Sequence, residues 1–247
     1  MDIESLWMLA ALVFLLAGAI KGLVGIGLPT AVIGVLSQFT DPRQAIALLI
    51  LPVLISNIWQ VHKNRMFRKS LVLFWPFSIT MAVGIWYFTQ FAASVSSTVL
   101  SGLVGGVMMV FVFATLFTQP FSIASHLDKP VQIFAGSIAG VMGGLTSLWA
   151  PPMLIYLMSQ PLKKDEFVGA LGFLILAGTI PLAGGYIQAG LTSPTVMVYS
   201  AAMTVPTLVG VSIGEYGRKF LNGDQFRSLL LLIFFLLGAN LIRISIF

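Results

Sequence analysis

Eight hydrophobic segments follow one another along this chain, roughly over residues 6–38, 42–61, 70–91, 97–118, 130–160, 166–189, 195–217 and 226–244, with short polar breaks between them. A helix crosses the hydrocarbon core of a bilayer with about 20 apolar residues. Inside lipid the backbone must satisfy itself, which leaves helices and closed barrels, and a barrel strand needs only about ten residues. The chain therefore reads as an all-α polytopic membrane protein whose solvent is the lipid bilayer. Composition agrees: 58% of the 247 residues are hydrophobic and 9% are charged, against roughly a quarter charged in a soluble domain.

Several function classes drop out. The absence of cysteine excludes disulfides and thiolate metal sites. The two histidines, His62 and His126, fall in polar connections, so no metal and no cofactor are expected. The net charge of +5 fits lysine and arginine on the cytoplasmic side of a membrane, with no nucleic acid implied. The N-terminus, Met1-Asp2-Ile3-Glu4-Ser5, is acidic and lacks an Ala-x-Ala-like site. The first hydrophobic segment is therefore expected to remain in the mature protein.

The first and fifth segments are too long for one simple crossing, and each is interrupted by small residues and proline. Gly18-x-x-x-Gly22-x-x-Gly25 in one matches Gly136-x-x-x-Gly140-x-x-Gly143 in the other. Proline follows each break, at Pro29 and at Pro151-Pro152, then a short apolar stretch ending in Ser37-Gln38 or Ser159-Gln160. This predicts two four-segment repeats, 1–119 and 130–247, joined by a connecting loop at 120–129. Paired, interrupted segments at matching places in two halves point to a transporter's binding site.

Charge sets the expected orientation. The connection His62-Lys63-Asn64-Arg65-Met66-Phe67-Arg68-Lys69 is strongly basic, as is the stretch from Arg218-Lys219 to Arg227, so both should be cytoplasmic. Connections 92–96 and 190–194 carry no charge and should be periplasmic. Five single crossings would place the two basic stretches on opposite sides. The conflict disappears if segments one and five are re-entrant, entering and leaving on the same face. Each half then crosses three times, the repeats are inverted, and both termini are periplasmic.

Proline is favoured in the first turn of a helix, so Pro29 and Pro151-Pro152 mark the starts of two half-helices near mid-membrane. Helix starts offer free N–H groups and a partial positive charge, which favours an anion. Gly22, Gly25, Gly27, Gly143 and Gly144 would let backbone approach such a ligand, and Thr30, Thr146 and Ser147 would add hydroxyls. Close helix packing is the competing explanation, favoured for Gly18 and Gly136 and for Gly102-x-x-x-Gly106 in segment four. Lys21 is the one charge deep within a segment, where insertion costs about 3 kcal/mol. It is expected to meet the anion, against the alternative of snorkelling to the headgroups. Asn57 and Gln60 share a helix face and serve either the ligand or interhelical bonding. Trp149 is either a gate or packing. Thr179, Pro181, Thr204, Pro206 and Thr207 either line a path or mark kinks. Glu215 should pair with Arg218 or Lys219, and Asn240 should be a packing contact.

The motif Ala17-Gly18-Ala19-Ile20-Lys21-Gly22-Leu23-Val24-Gly25-Ile26-Gly27-Leu28-Pro29, with Ser56-Asn57-Ile58-Trp59-Gln60 after it and the duplicated glycine pattern before Pro151-Pro152, resembles the TauE/SafE sulfite exporter family, also called the toluene-sulfonate uptake permease family. The resemblance covers essentially the whole chain. It implies transport of sulfite, sulfonates or other sulfur-containing or organic anions in the bacterial inner (plasma) membrane. The chain departs from the commoner pattern, where a run of glycines follows the first break and a small residue stands at the place of Lys21. It resembles a lysine-bearing branch.

The expected function is thus a secondary transporter, an exporter by the resemblance, moving a small anion by alternating access around a midplane site. A passive anion channel or facilitator is the alternative within transport, and a non-transporting membrane scaffold the alternative outside it. An enzyme is not expected, because no histidine or aspartate lies inside a segment. Coupling to a proton, with Lys21 as its carrier, and uniport both stay open, as does the oligomeric state.

Overall fold

The computed structural model describes residues 3–117, 122–217 and 223–247, with side chains placed for all of these except 3–7, 164 and 223–227. Arg218 and Lys219, two of the three basic residues in the expected second basic stretch, lie outside the described residues.

The described chain is all-helical: α1 (Ile3–Val24), α2 (Leu28–Leu36), α3 (Pro42–Lys63), α4 (Phe67–Leu73), α5 (Trp75–Ala92), α6 (Ser97–Phe117), a 3-10 turn (Ser125–Leu127), α7 (Asp128–Thr146), α8 (Ala150–Met158), α9 (Lys164–Gln188), α10 (Pro194–Gly217) and α11 (Gly223–Ile246). Among the described residues, α3, α6, α9, α10 and α11 are long and apolar enough to cross a membrane, and the bent pair α4–α5 is either a sixth, broken span or a re-entrant loop. The two interrupted segments break where the prolines predict. The second half-helices begin at Leu28 and Ala150, each with proline in its first turn.

One expected segment is corrected. Residues 70–91 are not one straight helix: α4 and α5 meet at 84° around Phe74. Pro76 lacks an N–H and disfavours helical geometry in the residue before it, so an unbroken helix through Trp75 is costly. The first turn of the expected span joins Phe67, Arg68 and Lys69 in a short helix that leaves Phe67, Leu71, Val72 and Leu73 exposed.

Neighbouring helices repair such breaks. Gln132 of α7 donates to the Leu73 carbonyl at 3.0 Å and accepts from the Phe77 N–H at 3.4 Å. Those two groups would bond each other in a straight helix. In α3, Pro52 leaves the Leu48 carbonyl without its usual donor. Ser200 of α10 donates to that carbonyl at 2.9 Å and accepts from the Leu51 N–H at 3.1 Å. Buried backbone groups are thereby paired.

Glycine sets the closest helix contacts. A Cβ at Gly18 would stand 2.3 Å from the Thr207 carbonyl oxygen, one at Gly22 2.2 Å from that of Val211, and one at Gly214 2.1 Å from that of Ala19. Residue numbers rise together, so α1 and α10 run parallel. Gly136 and Gly140 of α7 meet Phe77 and Gly84 of α5 in the same parallel sense. In α6 the close contacts fall at Gly102, against Ser245, and Gly105, against Gly238 and Ile242 of α11, so these helices are antiparallel; Gly106 has nothing within 4 Å. The other contacts join α3 to α9 and α10, α5 to α9, α2 to α3 and α11, and α8 to α9 and α6.

Polar bonds gather the connections at two opposite ends of α3. At its start, Arg43 donates to Asp41 at 2.9 Å, to the Ala92 carbonyl at 2.9 Å and to the Val95 carbonyl, while Ser97 donates to Asp41. At its finish, Lys63 pairs with Glu215 at 2.7 Å, and Lys69 pairs with Glu166. Among the described residues Lys63 pairs with Glu215; the partners expected for Glu215, Arg218 and Lys219, lie outside the described residues. The start of α7 also meets the finish of α8: the Asp128 carboxylate accepts from Tyr156 at 3.0 Å and from Gln160 at 3.1 Å.

Candidate functional site

Lys21 lies in the last turn of α1. The carbonyl end of a helix carries partial negative charge, which favours an ammonium there. The side chain is 4% exposed, and Nζ donates to Asn57 Oδ1 of α3 at 2.6 Å. Asn57 is held in turn by its own Nδ2, which donates to the Val53 carbonyl at 2.7 Å. Among the described residues no carboxylate pairs with Lys21. The buried amino group of Lys21 is thus held by one neutral oxygen.

A cavity of about 210 Å³ opens beside it, lined by Lys21, Gly22, Gly25, Ser56, Trp59, Gln60, Lys63, Asn64, Asp165, Val168, Val211 and Glu215. Gln60 spans it, donating to the Val168 carbonyl at 2.7 Å and to the Gly25 carbonyl at 3.4 Å. The half-exposed Lys63–Glu215 pair stands at the same pocket, which places its mouth at the basic end of α3. Ser56, Trp59 and Asn64 join from α3 and the residue after it. The four-residue spacing of Ser56 and Asn64 from Gln60 was the available signal for those two, and Trp59, next to Gln60, had none.

The other expected residues gather elsewhere. Pro29, Thr30, Ser147 and Trp149 meet around a cavity of about 20 Å³ between the starts of α2 and α8. Pro29, Ser147 and Trp149 also border one of about 10 Å³ against α3 and Thr179 of α9. This second site lies near the middle of α3 and α9. Gly25 and Gly27, at φ 91° and 108°, and Ser147, at φ 60°, turn the two chains there. Lys21 does not border this space: Gly25 lines the Lys21 pocket, Ile26 lines the tip cavity, and Gly27 faces a third, apolar pocket of about 300 Å³ with Phe111 and Phe234.

Several named residues line neither the Lys21 pocket nor the cavity of about 20 Å³. Thr146 donates to the Met142 carbonyl at 2.7 Å and accepts from the Leu148 N–H at 3.2 Å, so its hydroxyl closes the end of its own helix. Gly143 and Gly144 are contact residues, the first against Trp149 and Ile85, the second against Phe88 and Ile85. Pro151 and Pro152 are buried in the first turn of α8. Thr179, Thr204 and Thr207 each donate to a carbonyl one turn back. Asn240 bonds Gln38 and accepts from Arg243 at 2.9 Å, tying α11 to the end of α2.

Long apolar helices, two interrupted ones and a buried lysine beside a polar cavity mark a multi-pass membrane protein. The family follows from comparison. Residues 10–241 match the family model described as Sulfite exporter TauE/SafE, so the chain belongs to the TauE/SafE family, a family of transporters. No curated protein and no solved structure matches the chain.

Proposed function

We propose that the protein is a secondary transporter that exports a small anion, such as sulfite, an organosulfonate or another sulfur-containing or organic anion, across the bacterial inner membrane. The family's description supports the sulfur oxyanion class. The observation that carries the reading is Lys21: a buried ammonium whose hydrogen-bond partner is the neutral Asn57, beside a cavity of about 210 Å³. Intramembrane charge of this kind is functional by default, and an anion entering from the basic end supplies the missing counter-charge. Charge-assisted bonds to it are the stronger kind.

Alternating access rests on a two-repeat reading, residues 1–119 and 130–247. Exchanging the halves turns α1 on α10 into α7 on α5, α10 on α3 into α5 on α9, and α2 on α11 into α8 on α6, and each of these pairs is in contact. The Asp128–Gln160 bond supports a re-entrant second hairpin, since it joins the residue that enters to the one that leaves. The connection after the first hairpin, Asp41 to Arg43, and the one after the second, Lys163 to Glu166, sit at opposite ends of the bundle. Opposite placement of equivalent connections is what inverted repeats require.

Purified protein in liposomes tests the function. Loaded with radiolabelled sulfite or a short alkanesulfonate, such vesicles should release label at a saturable rate, and Lys21→Met should slow it. Release equal to that from protein-free vesicles for every sulfur anion tried would refute transport of this class. Flux that rises linearly with concentration without saturation would favour the channel reading.

A further inference from the structure

Trp149 is only 3% exposed, yet its indole Nε1–H has no hydrogen-bond partner. An unmade bond on a buried donor is costly, and native proteins seldom leave one without a use. The ring is firmly placed. Gly143 and Gly178 form a slot for it: a Cβ at either would stand 2.8 or 2.9 Å from the indole. Trp149 borders both small cavities at the meeting of α2 and α8. Ser147 borders both with it, and Thr30 borders the larger; neither hydroxyl bonds a described residue. Both helix starts here lack a side-chain cap, at Gly27 and at Trp149 itself. The N–H groups of Thr30 and Ala150 in the two first turns, where Pro29, Pro151 and Pro152 carry none, two hydroxyls and an unpartnered indole N–H therefore belong to residues that border one small space.

We infer that Trp149, Ser147 and Thr30 form a second, uncharged oxyanion subsite at the joined helix starts, separate from the Lys21 pocket, in which the indole N–H selects among anions. The inference rests on the transport reading above. Three separated donors suit several acceptor oxygens on one centre, as in sulfite or a small sulfonate, better than the single atom of a halide. The turn Gly25-Ile26-Gly27 divides the two sites, with Gly25 facing one and Ile26 the other. Lys21 supplies charge inside its own pocket; the subsite supplies geometry near the centre of the bundle. Its space of about 20 Å³ suits one water-sized group. The starts of α2 and α8 must therefore part to admit an oxyanion.

Calorimetric binding of sulfite and of chloride to the purified full chain tests this. Trp149→Phe keeps a ring in the glycine slot and removes the donor; Thr30→Val does the same for one hydroxyl. Each should weaken sulfite binding roughly threefold to tenfold, the worth of one neutral hydrogen bond, and leave chloride binding nearly unchanged. In wild-type protein labelled with 5-fluorotryptophan, the resonance of Trp149 should shift when sulfite is added. Sulfite affinity unchanged in both variants, with an unmoved Trp149 resonance, overturns the subsite while leaving transport through Lys21 standing. An equal loss for chloride and sulfite would mean that the ring only packs, and it overturns the selectivity. No sulfite binding by the wild type overturns both readings.

Discussion

Lys21 Nζ and Asn57 Oδ1 lie 2.6 Å apart, joining the last turn of α1 to the interior of α3 across 36 residues. The bond orients the amino group and brings it no counter-charge, so in the transport proposal a bound anion supplies that charge. Lys21→Met removes the charge while keeping the length. Sulfite affinity measured by calorimetry should fall roughly tenfold to a hundredfold, as loss of a charge-assisted hydrogen bond implies. Lys21→Arg should keep part of the affinity, since charge survives and geometry does not. Asn57→Asp should lower affinity by roughly tenfold, because a resident carboxylate then competes with the anion for Lys21. A methionine variant that folds and binds sulfite as tightly as wild type would assign Lys21 to snorkelling.

The glycine contacts make a paired prediction. Gly214→Ala puts a methyl 2.1 Å from the Ala19 carbonyl oxygen, and backbone there cannot yield cheaply. It should destabilise the protein by about 1–3 kcal/mol, the usual cost of overpacking. Gly106→Ala meets nothing within 4 Å and should be neutral or raise stability by up to about 1 kcal/mol through helix propensity. Thermal unfolding in one detergent compares the two, and equal melting shifts would contradict the packing described.

At the start of α3, burial by itself would raise the pKa of the Asp41 carboxyl. The Ser97 hydroxyl and the amide and guanidinium of Arg43 outweigh it and hold the group below its ordinary range. A depressed carboxylate stabilises the fold above its unfolded value, about 4. That contribution disappears as pH falls through the lower folded value. Wild type should therefore melt above Asp41→Asn at pH 7, and the gap should close below about pH 4. A gap that stays constant down to pH 3 would mean that the carboxylate's charge contributes nothing.

Orientation follows from the same contacts. Ser245 packs on Gly102 and Ser97 bonds Asp41 at the end of the bundle opposite Lys63. Reporter fusions at Phe247 and near Asn64 should therefore report opposite sides, with Asn64 cytoplasmic because its connection is basic. Both reporters on one side would break the inverted-repeat reading.

The sequence by itself determined the membrane class, the two interruptions, the helix starts at Pro29 and Pro151-Pro152, and the family. Each is written in local chemistry: runs of apolar residues, glycine, and an imino nitrogen without a proton. It also marked Lys21, since a lone charge in an apolar segment is visible without a fold. It did not separate Lys21 from Thr30 and Ser147. A turn of three residues divides their cavities, and only the packed positions of α3 and α9 decide which side each residue faces. Nor was the α4–α5 bend legible, although Pro76 was in view. Proline makes a break cheap, but whether the chain turns depends on a neighbour that can satisfy the freed groups, and Gln132 is 59 residues from the carbonyl it meets. Lys63 and Glu215 make the same point: they pair across 152 residues of chain. Local sequence records what a residue can do; which partner it does it with is set by tertiary packing, because the decisive contacts join helices remote in the chain.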